Sequence, residues 1–194
     1  MMTDTTFCYP LTIPGDDRYP QLPGLEHVWV SEYPADRCGV DSTRLEAVLE
    51  HGIRVFIDLT EADEEHRLHN RRLLLSPYER KLKQLAAERG MTVAYHRIPV
   101  RDVTAPTVAQ VCQALDLIDA ALAARQPVLI HCLGGIGRSA TVAACLLVRH
   151  GYTPTQALHA IQHQVRQSNT SKRFRDSPET HAQKKLVRDW PSGS

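Results

Sequence analysis

The run Pro127-Val-Leu-Ile-His-Cys-Leu-Gly-Gly-Ile-Gly-Arg-Ser-Ala-Thr-Val-Ala-Ala-Cys-Leu-Leu-Val148 decides the architecture of this 194-residue chain. It opens on a short apolar, β-branched stretch, 127–131, that reads as a buried strand. It closes on an Ala- and Leu-rich stretch from Ser139 that reads as a buried helix. Between them, Cys132 and Arg138 stand at either end of five residues, three of which are glycine. A strand that ends in a thiol, a glycine-rich loop and a helix start together make an anion site with a nucleophile at its floor.

Glycine lets a loop curl so that successive backbone N–H groups point inward. The amides of Leu133, Gly134, Gly135, Ile136 and Gly137 would then cradle a phosphate dianion. The helix start adds unpaired donors and the positive end of its dipole. Arg138 at the helix mouth can grip two phosphate oxygens with its planar fork. The same donors favour the thiolate form of Cys132, as helix N-termini do for cysteines generally. Ser139 can hydrogen-bond the sulfur and ease its departure. His131 reads as structural support for the loop through a ring hydrogen bond.

The string His-Cys-x5-Arg-Ser is the signature of cysteine-dependent protein phosphatases. The longer string HCLGGIGRSATVAACLL resembles that of the cyclin-dependent-kinase-associated phosphatases, a branch of the dual-specificity group. The similarity is strongest from about Tyr95 to Ile161 and extends more weakly from Val28 to Trp190. It implies a protein tyrosine phosphatase-like fold and hydrolysis of phosphomonoesters through a phosphocysteine.

Such a reaction needs a proton for the leaving oxygen, and general acid catalysis of this kind is worth ~10²–10⁴ in rate. Asp102, in the loop that follows the strand around Tyr95, is the candidate. The resemblance implies that it is the acid in the first step and the base in the second. Asp58, at the end of another strand, is its competitor; Asp116 and Asp119 read as solvated helix residues. Gln183 lies in Ser177-Pro-Glu-Thr-His-Ala-Gln183, and the resemblance implies a water-positioning role for it; a surface residue is the alternative.

Further from the loop, strands are expected at His27–Ser31, Arg54–Leu59 and Thr92–Ile98. Helices are expected from Asp41 or Ser42 to Gly52, from a Ser76-Pro-Tyr-Glu79 capping box to Gly90, over Thr107–Arg125, and from Thr153-Pro and Ser177-Pro. Alternating strands and helices give an α/β fold: a central, mostly parallel sheet of four or five strands flanked by helices in three layers. Ligands then bind at the C-terminal ends of the strands. Residues 1–25, with four prolines, read as an extended arm, and 26–194 as a single catalytic domain. The acidic run Glu61-Ala-Asp-Glu-Glu65 before Arg67, Arg71 and Arg72 reads as a solvated face. Lys172-Arg-Phe-Arg175 reads as an exposed basic loop, with a place beside an anionic substrate as the alternative.

A formal charge of +1 provides no field that would recruit nucleic acid or a membrane. Ten histidines are scattered singly, so no metal and no other cofactor is expected. Five cysteines without a framework pattern favour a reducing compartment. The N-terminus lacks a signal-peptide pattern, and the expectation is a cytoplasmic monomer. The expected partner is a phosphorylated protein, carrying phosphotyrosine and, as an extension, phosphoserine or phosphothreonine. Leu133 and Ile136, neutral within the loop, point to one phosphoryl group rather than a polyanionic headgroup. A lipid or small-molecule phosphatase, a non-catalytic phosphate-binding module and a thiol-dependent reductase are the alternatives.

Overall fold

The computed structural model describes residues 7–12, 22–35, 42–68, 71–168 and 170–191. Cys38, Asp41 and most of the proline-rich stretch (1–6 and 13–21) lie outside the described residues.

The apolar run at 127 becomes β7 (Val128–His131), the middle strand of a five-stranded sheet. It is flanked in parallel by β2 (Val28–Ser31) and β3 (Val55–Asp58), and β3 is followed, again in parallel, by β6 (Ala94–Arg97). The remaining edge is β1 (Cys8–Pro10), antiparallel to β2. The fold is thus a mixed, mostly parallel α/β sheet. An edge strand is where Pro10, which has no N–H to give, is tolerated. The three residues of β1 are too few for a period-2 pattern to mark them as a strand.

Side chains alternate between the two faces of the sheet. Val128 and Ile130 of β7, Val55 and Ile57 of β3, and Val28 and Val30 of β2 share one core. That core also holds the apolar faces of α3 (Val108–Ala123), α4 (Arg138–Arg149), α5 (Pro154–Gln167) and α6 (His181–Arg188). Leu129 and Phe56 point the other way, into a second core with α1 (Thr43–Glu50) and α2 (Glu79–Glu88). Every residue of α4 from Arg138 to Val148 is buried, so this helix cannot shift without disturbing the whole larger core. Register places Ser31, His131, Asp58 and Arg97 side by side at the C-terminal ends of their strands. That row is the floor on which the loop after β7 rests.

Three local expectations need correction. Glu65–Leu68 and Arg71–Leu74 form a separate antiparallel hairpin, β4–β5. Half of its eight strand residues are charged and its leucines do not alternate with them, so no period-2 pattern advertised it. Helix α2 begins at Glu79 with Tyr78 at its N-cap and no side-chain cap; the Ser76 carbonyl instead accepts from the Tyr33 hydroxyl at 2.6 Å. The last helix begins three residues later than Ser177, at the capping box of Thr180 and Gln183. Helices α3 and α5 start where expected, each at a capping box, Thr107/Gln110 and Thr153/Gln156.

The Thr180 box holds Gln183 as well as the helix, because the Gln183 side-chain oxygen accepts from the Thr180 amide at 3.0 Å. Thr180→Ala is therefore expected to lower stability by about 1 kcal/mol, with recovery in Thr180→Ser. Urea denaturation measures both, and an unshifted midpoint in the alanine variant would contradict the capping account.

Candidate active site

The loop after β7 is shaped by its carbonyls. Those of Leu133, Gly134, Ile136 and Gly137 are each taken by a donor of the surrounding protein. The donors are the Tyr33 amide (3.2 Å), the Lys172 ammonium (3.0 Å), the Ser177 hydroxyl (2.9 Å) and, for Gly137, the amide and hydroxyl of Thr141. With four of the five carbonyls from Leu133 to Gly137 engaged, the free polarity of the loop is mostly N–H, which is what an anion requires. Gly135 is indispensable to this path. Its φ is +73°, and a Cβ there would lie 2.9 Å from the backbone of Ser31 and Glu32.

Cys132 is 2 % exposed. Its sulfur receives the Gly135 N–H at 3.3 Å and lies 3.3 Å from the Ser139 hydroxyl. The preceding His131 is fully buried, and burial pushes its imidazole below the ordinary histidine value, so it is neutral. Its Nδ1 faces the Cys132 carbonyl (3.4 Å), an acceptor only, and therefore carries the proton. Its Nε2 then accepts from the Tyr78 hydroxyl at 2.5 Å. Burial, followed by the nearby Asp58 charge, raises the Tyr78 pKa, which keeps that hydroxyl a donor.

Asp58 belongs to this support and not to the cleft. It is wholly buried, and it accepts from the Thr60 amide and hydroxyl, the Tyr95 hydroxyl and Arg97. Burial opposes its ionisation, whereas the donors of Thr60, Tyr95 and Arg97 favour the carboxylate. A carboxylate so engaged has no proton to give. Asp116 and Asp119 lie on α3, paired with Arg149.

Arg138 is 1 % exposed and is gripped on one side by Glu64 in a two-pronged pair, Nη1–Oε2 2.6 Å and Nη2–Oε1 2.7 Å. Its Nη1 also donates to the carbonyls of Val100 (2.8 Å) and Leu59 (3.3 Å). Asp102 Oδ1 lies 2.8 Å from Nη2. Among the described residues, Nε has no partner. If Asp102 turns aside, Nε and Nη2 form an open fork for two phosphoryl oxygens while Glu64 keeps its hold. Burial opposes the charge on Arg138; Glu64, Cys132 and Asp102 more than compensate and raise its pKa above the ordinary value.

Glu64 was hidden in the acidic run read as a solvated face. It is buried, and only the spacing of the hairpin brings it under the guanidinium. Asp102 sits on a loop under backbone strain. Val103, next to it, has φ +62°, a conformation that a β-branched side chain disfavours by roughly 1–3 kcal/mol. Gln183 is fully buried, not on the surface, and its Nε2 donates to the Thr104 carbonyl at 2.9 Å, tying α6 to the Asp102 loop. Lys172 and Arg175, read as an exposed basic loop, line the cleft.

These groups enclose a cleft of about 230 Å³, with Cys132 and Arg138 at its base and Asp102, Lys172 and Gln183 on its walls. Among the described residues, no group of three or more His, Cys, Asp or Glu side chains could hold a metal ion. None of the helices searched is long and apolar enough to cross a membrane.

A cysteine at the C-terminal end of a central parallel strand, with an arginine opening the next buried helix, defines a protein tyrosine phosphatase-like fold. A family model described as "Polymorphic toxin system, DSP-PTPase phosphatase" matches residues 37–152, more than half of the chain. The chain belongs to this dual-specificity phosphatase family. It is 34% identical over 96 residues to cyclin-dependent kinase inhibitor 3 of Sus scrofa, covering 44% of this chain and 45% of that protein. The chain thus spans less than half the length of that relative. Among solved structures, Tk-PTP in its active form is similar with a TM-score of 0.59 at 26% identity, over 84% of this chain and 90% of that one. PTPMT1 in complex with PI(5)P shares the fold with a TM-score of 0.60 at 20% identity, over 95% and 94% of the two chains.

The Glu64–Arg138 pair makes a direct prediction. Removing one partner of a buried ion pair leaves an uncompensated charge, so Glu64→Ala should destabilise the protein by roughly 3–5 kcal/mol. It should also raise KM for an aryl phosphate, since the fork loses its alignment. Chemical denaturation and steady-state kinetics read the two effects, and a variant with unchanged stability and KM would remove Glu64 from the site.

Proposed function

We propose that this chain hydrolyses phosphomonoesters on proteins, phosphotyrosine first and phosphoserine or phosphothreonine as an extension, through a phosphocysteine intermediate. The observation that carries the proposal is the convergence of Cys132, Ser139, Arg138 and Asp102 on one cleft. In the first step the Cys132 thiolate attacks phosphorus, the bond to the leaving oxygen breaks, and Asp102 delivers its proton to that oxygen. The incoming phosphoryl group takes the Arg138 fork and displaces Asp102 from Nη2. That displacement puts the carboxyl beside the leaving group. The loop amides and Arg138 stabilise the charge on the equatorial oxygens.

In the second step Asp102, now a carboxylate, removes a proton from water. The water oxygen attacks phosphorus, the P–S bond breaks, and the thiolate returns to the donors of Gly135 and Ser139. Inorganic phosphate leaves. The Gln183 amide, already engaged with Thr180 and Thr104, holds the Asp102 loop and is placed to orient that water only if it releases the Thr104 carbonyl. A cytoplasmic monomer is the accompanying proposal; the expected separation of residues 1–25 as an arm does not hold for 7–12, which add β1 to the central sheet and bury Phe7, Tyr9 and Leu11 in the core. The family description names polymorphic toxin systems, and dephosphorylation of a target protein is a chemistry that such a system could use.

A second reading, a phosphate on a small molecule, draws on Arg67, Lys172 and Arg175, which add positive charge to the cleft wall. Phosphopeptides and inositol phosphates, assayed side by side, separate the two readings.

Cys132→Ser is expected to abolish turnover of an aryl phosphate while still binding vanadate or phosphate. Retention of most activity in that variant would sink the covalent mechanism. For Asp102→Asn the expected loss in kcat is ~10²–10⁴ with an alkyl or peptide leaving group. Its pH–rate profile should lose the limb that reports the acid, and an unaltered profile would assign the proton to another residue.

A further inference from the structure

A second cavity, of about 320 Å³, opens beside the first. It is lined by Glu65, His66, Arg67, Arg72, Asp102 and Leu133, and four of these (His66, Arg67, Asp102 and Leu133) line both cavities. The hairpin β4–β5 therefore forms a wall shared between the cradle and an adjoining space.

Charge pairing singles out one residue on this wall. Asp102 is taken by Arg138. Glu65 lies 3.5 Å from Arg72, in a pair exposed enough to exchange partners freely. On the opposite wall, Lys172 is held by the Gly134 carbonyl and Glu32, and Arg175 by Glu179 at 2.6 Å. Arg67 alone among these cations has no hydrogen bond or ion pair with the described residues, and it faces both cavities. A guanidinium in that position is an open receptor for an anion one step away from the scissile phosphate.

The surroundings select the kind of molecule that bears this anion. Val103 (57 % exposed) lies in the cleft wall. Phe174 (86 %) stands between Lys172 and Arg175, and Leu74 (61 %) is the cross-strand partner of Glu65. Val103 in the wall, with exposed apolar side chains on the segments that carry Lys172, Arg175 and Glu65, matches the side chains of a polypeptide; an inositol polyphosphate has none to offer. An anionic bilayer would meet Glu65 and Glu179 at the same rim on a chain of net charge +1.

We propose that Arg67, assisted by Arg72, forms a second-anion subsite that selects phosphoprotein segments carrying an acidic or phosphorylated side chain close to the residue being dephosphorylated. This rests on the protein-phosphatase reading above and adds the sequence context of its substrate.

The test uses phosphotyrosine peptides in which a single Glu is scanned over two positions on either side, against an all-alanine reference. The quantity read is the ratio of kcat/KM for each acidic peptide to that for the reference, within one protein. In the wild type at least one position should raise the ratio by roughly 3- to 10-fold. The gain should collapse towards 1 in Arg67→Ala, survive in part in Arg67→Lys, and shrink as NaCl is raised. Peptides turned over without any acidic preference, or a preference that persists in Arg67→Ala, would overturn the subsite and leave the protein-phosphatase reading intact. Aryl phosphate hydrolysed but no peptide turned over would overturn that reading and the subsite with it. Hydrolysis of inositol polyphosphates or phosphoinositide vesicles that outpaces every peptide and depends on Arg67 would assign the cavity to a headgroup and refute the polypeptide.

Discussion

The buried guanidinium of Arg138 ties the site together. It opens α4, the helix at the centre of the larger core, and its donors reach out of that helix to four residues on three other segments. Leu59 follows β3, Val100 and Asp102 follow β6, and Glu64 precedes the hairpin. A charge sunk this deep is tolerable only when it is paired and hydrogen-bonded. Each acceptor that satisfies Arg138 also fixes the position of its own segment. The need to compensate one cation thereby assembles the loop, the Asp102 segment and the hairpin about a common point. An arginine that merely met substrate from a solvent-exposed position would impose no such order.

A second polar network works from the opposite side of the same strand end. His131 is neutral, donates to its own loop and accepts from Tyr78, while Asp58 stays ionised under Thr60, Tyr95 and Arg97. Tyr33, Tyr78 and Tyr95 pack edge to face around this point. The two networks divide the carboxylates by role. Asp58 is fully engaged by donors and serves structure, whereas Asp102 remains 45 % exposed and holds only an ion pair that a phosphoryl group can replace. Two aspartates at the ends of adjacent strands thus differ in what they can do because their donor counts differ.

What the sequence made legible follows from how local the signal was. The strand, glycine loop and helix around Cys132 are adjacent in the chain, and their apolar and glycine patterns speak for themselves. Asp102 was found because a strand end and a loop frame it. Glu64 was not, since an acidic run looks the same whether its members face water or a buried arginine 74 residues away. The Ser-Pro pairs at 76 and 177 misled for a related reason. Ser177 commits its hydroxyl to the distant Ile136 carbonyl, and Ser76 lies two residues before the N-cap Tyr78, where its backbone carbonyl takes the Tyr33 hydroxyl. Thr107, Thr153 and Thr180 have no such competing duty and cap as their sequence suggests.

Selectivity is distributed in a way that the loop sequence alone conceals. Leu133 and Ile136 are neutral, which argues against several phosphates converging on the cradle itself. The positive charge lies instead on the walls, on Lys172 and Arg175 from one side and on Arg67 and Arg72 from the other. Most of it is already spent on internal partners: Lys172 holds a loop carbonyl and Arg175 a glutamate. Counting cations along the rim would therefore predict a polyanion, whereas counting those unpaired among the described residues leaves Arg67. The cleft thus offers an anion one cradle at Cys132 and, among the described residues, one uncommitted guanidinium beside it, rather than a ring of converging free cations.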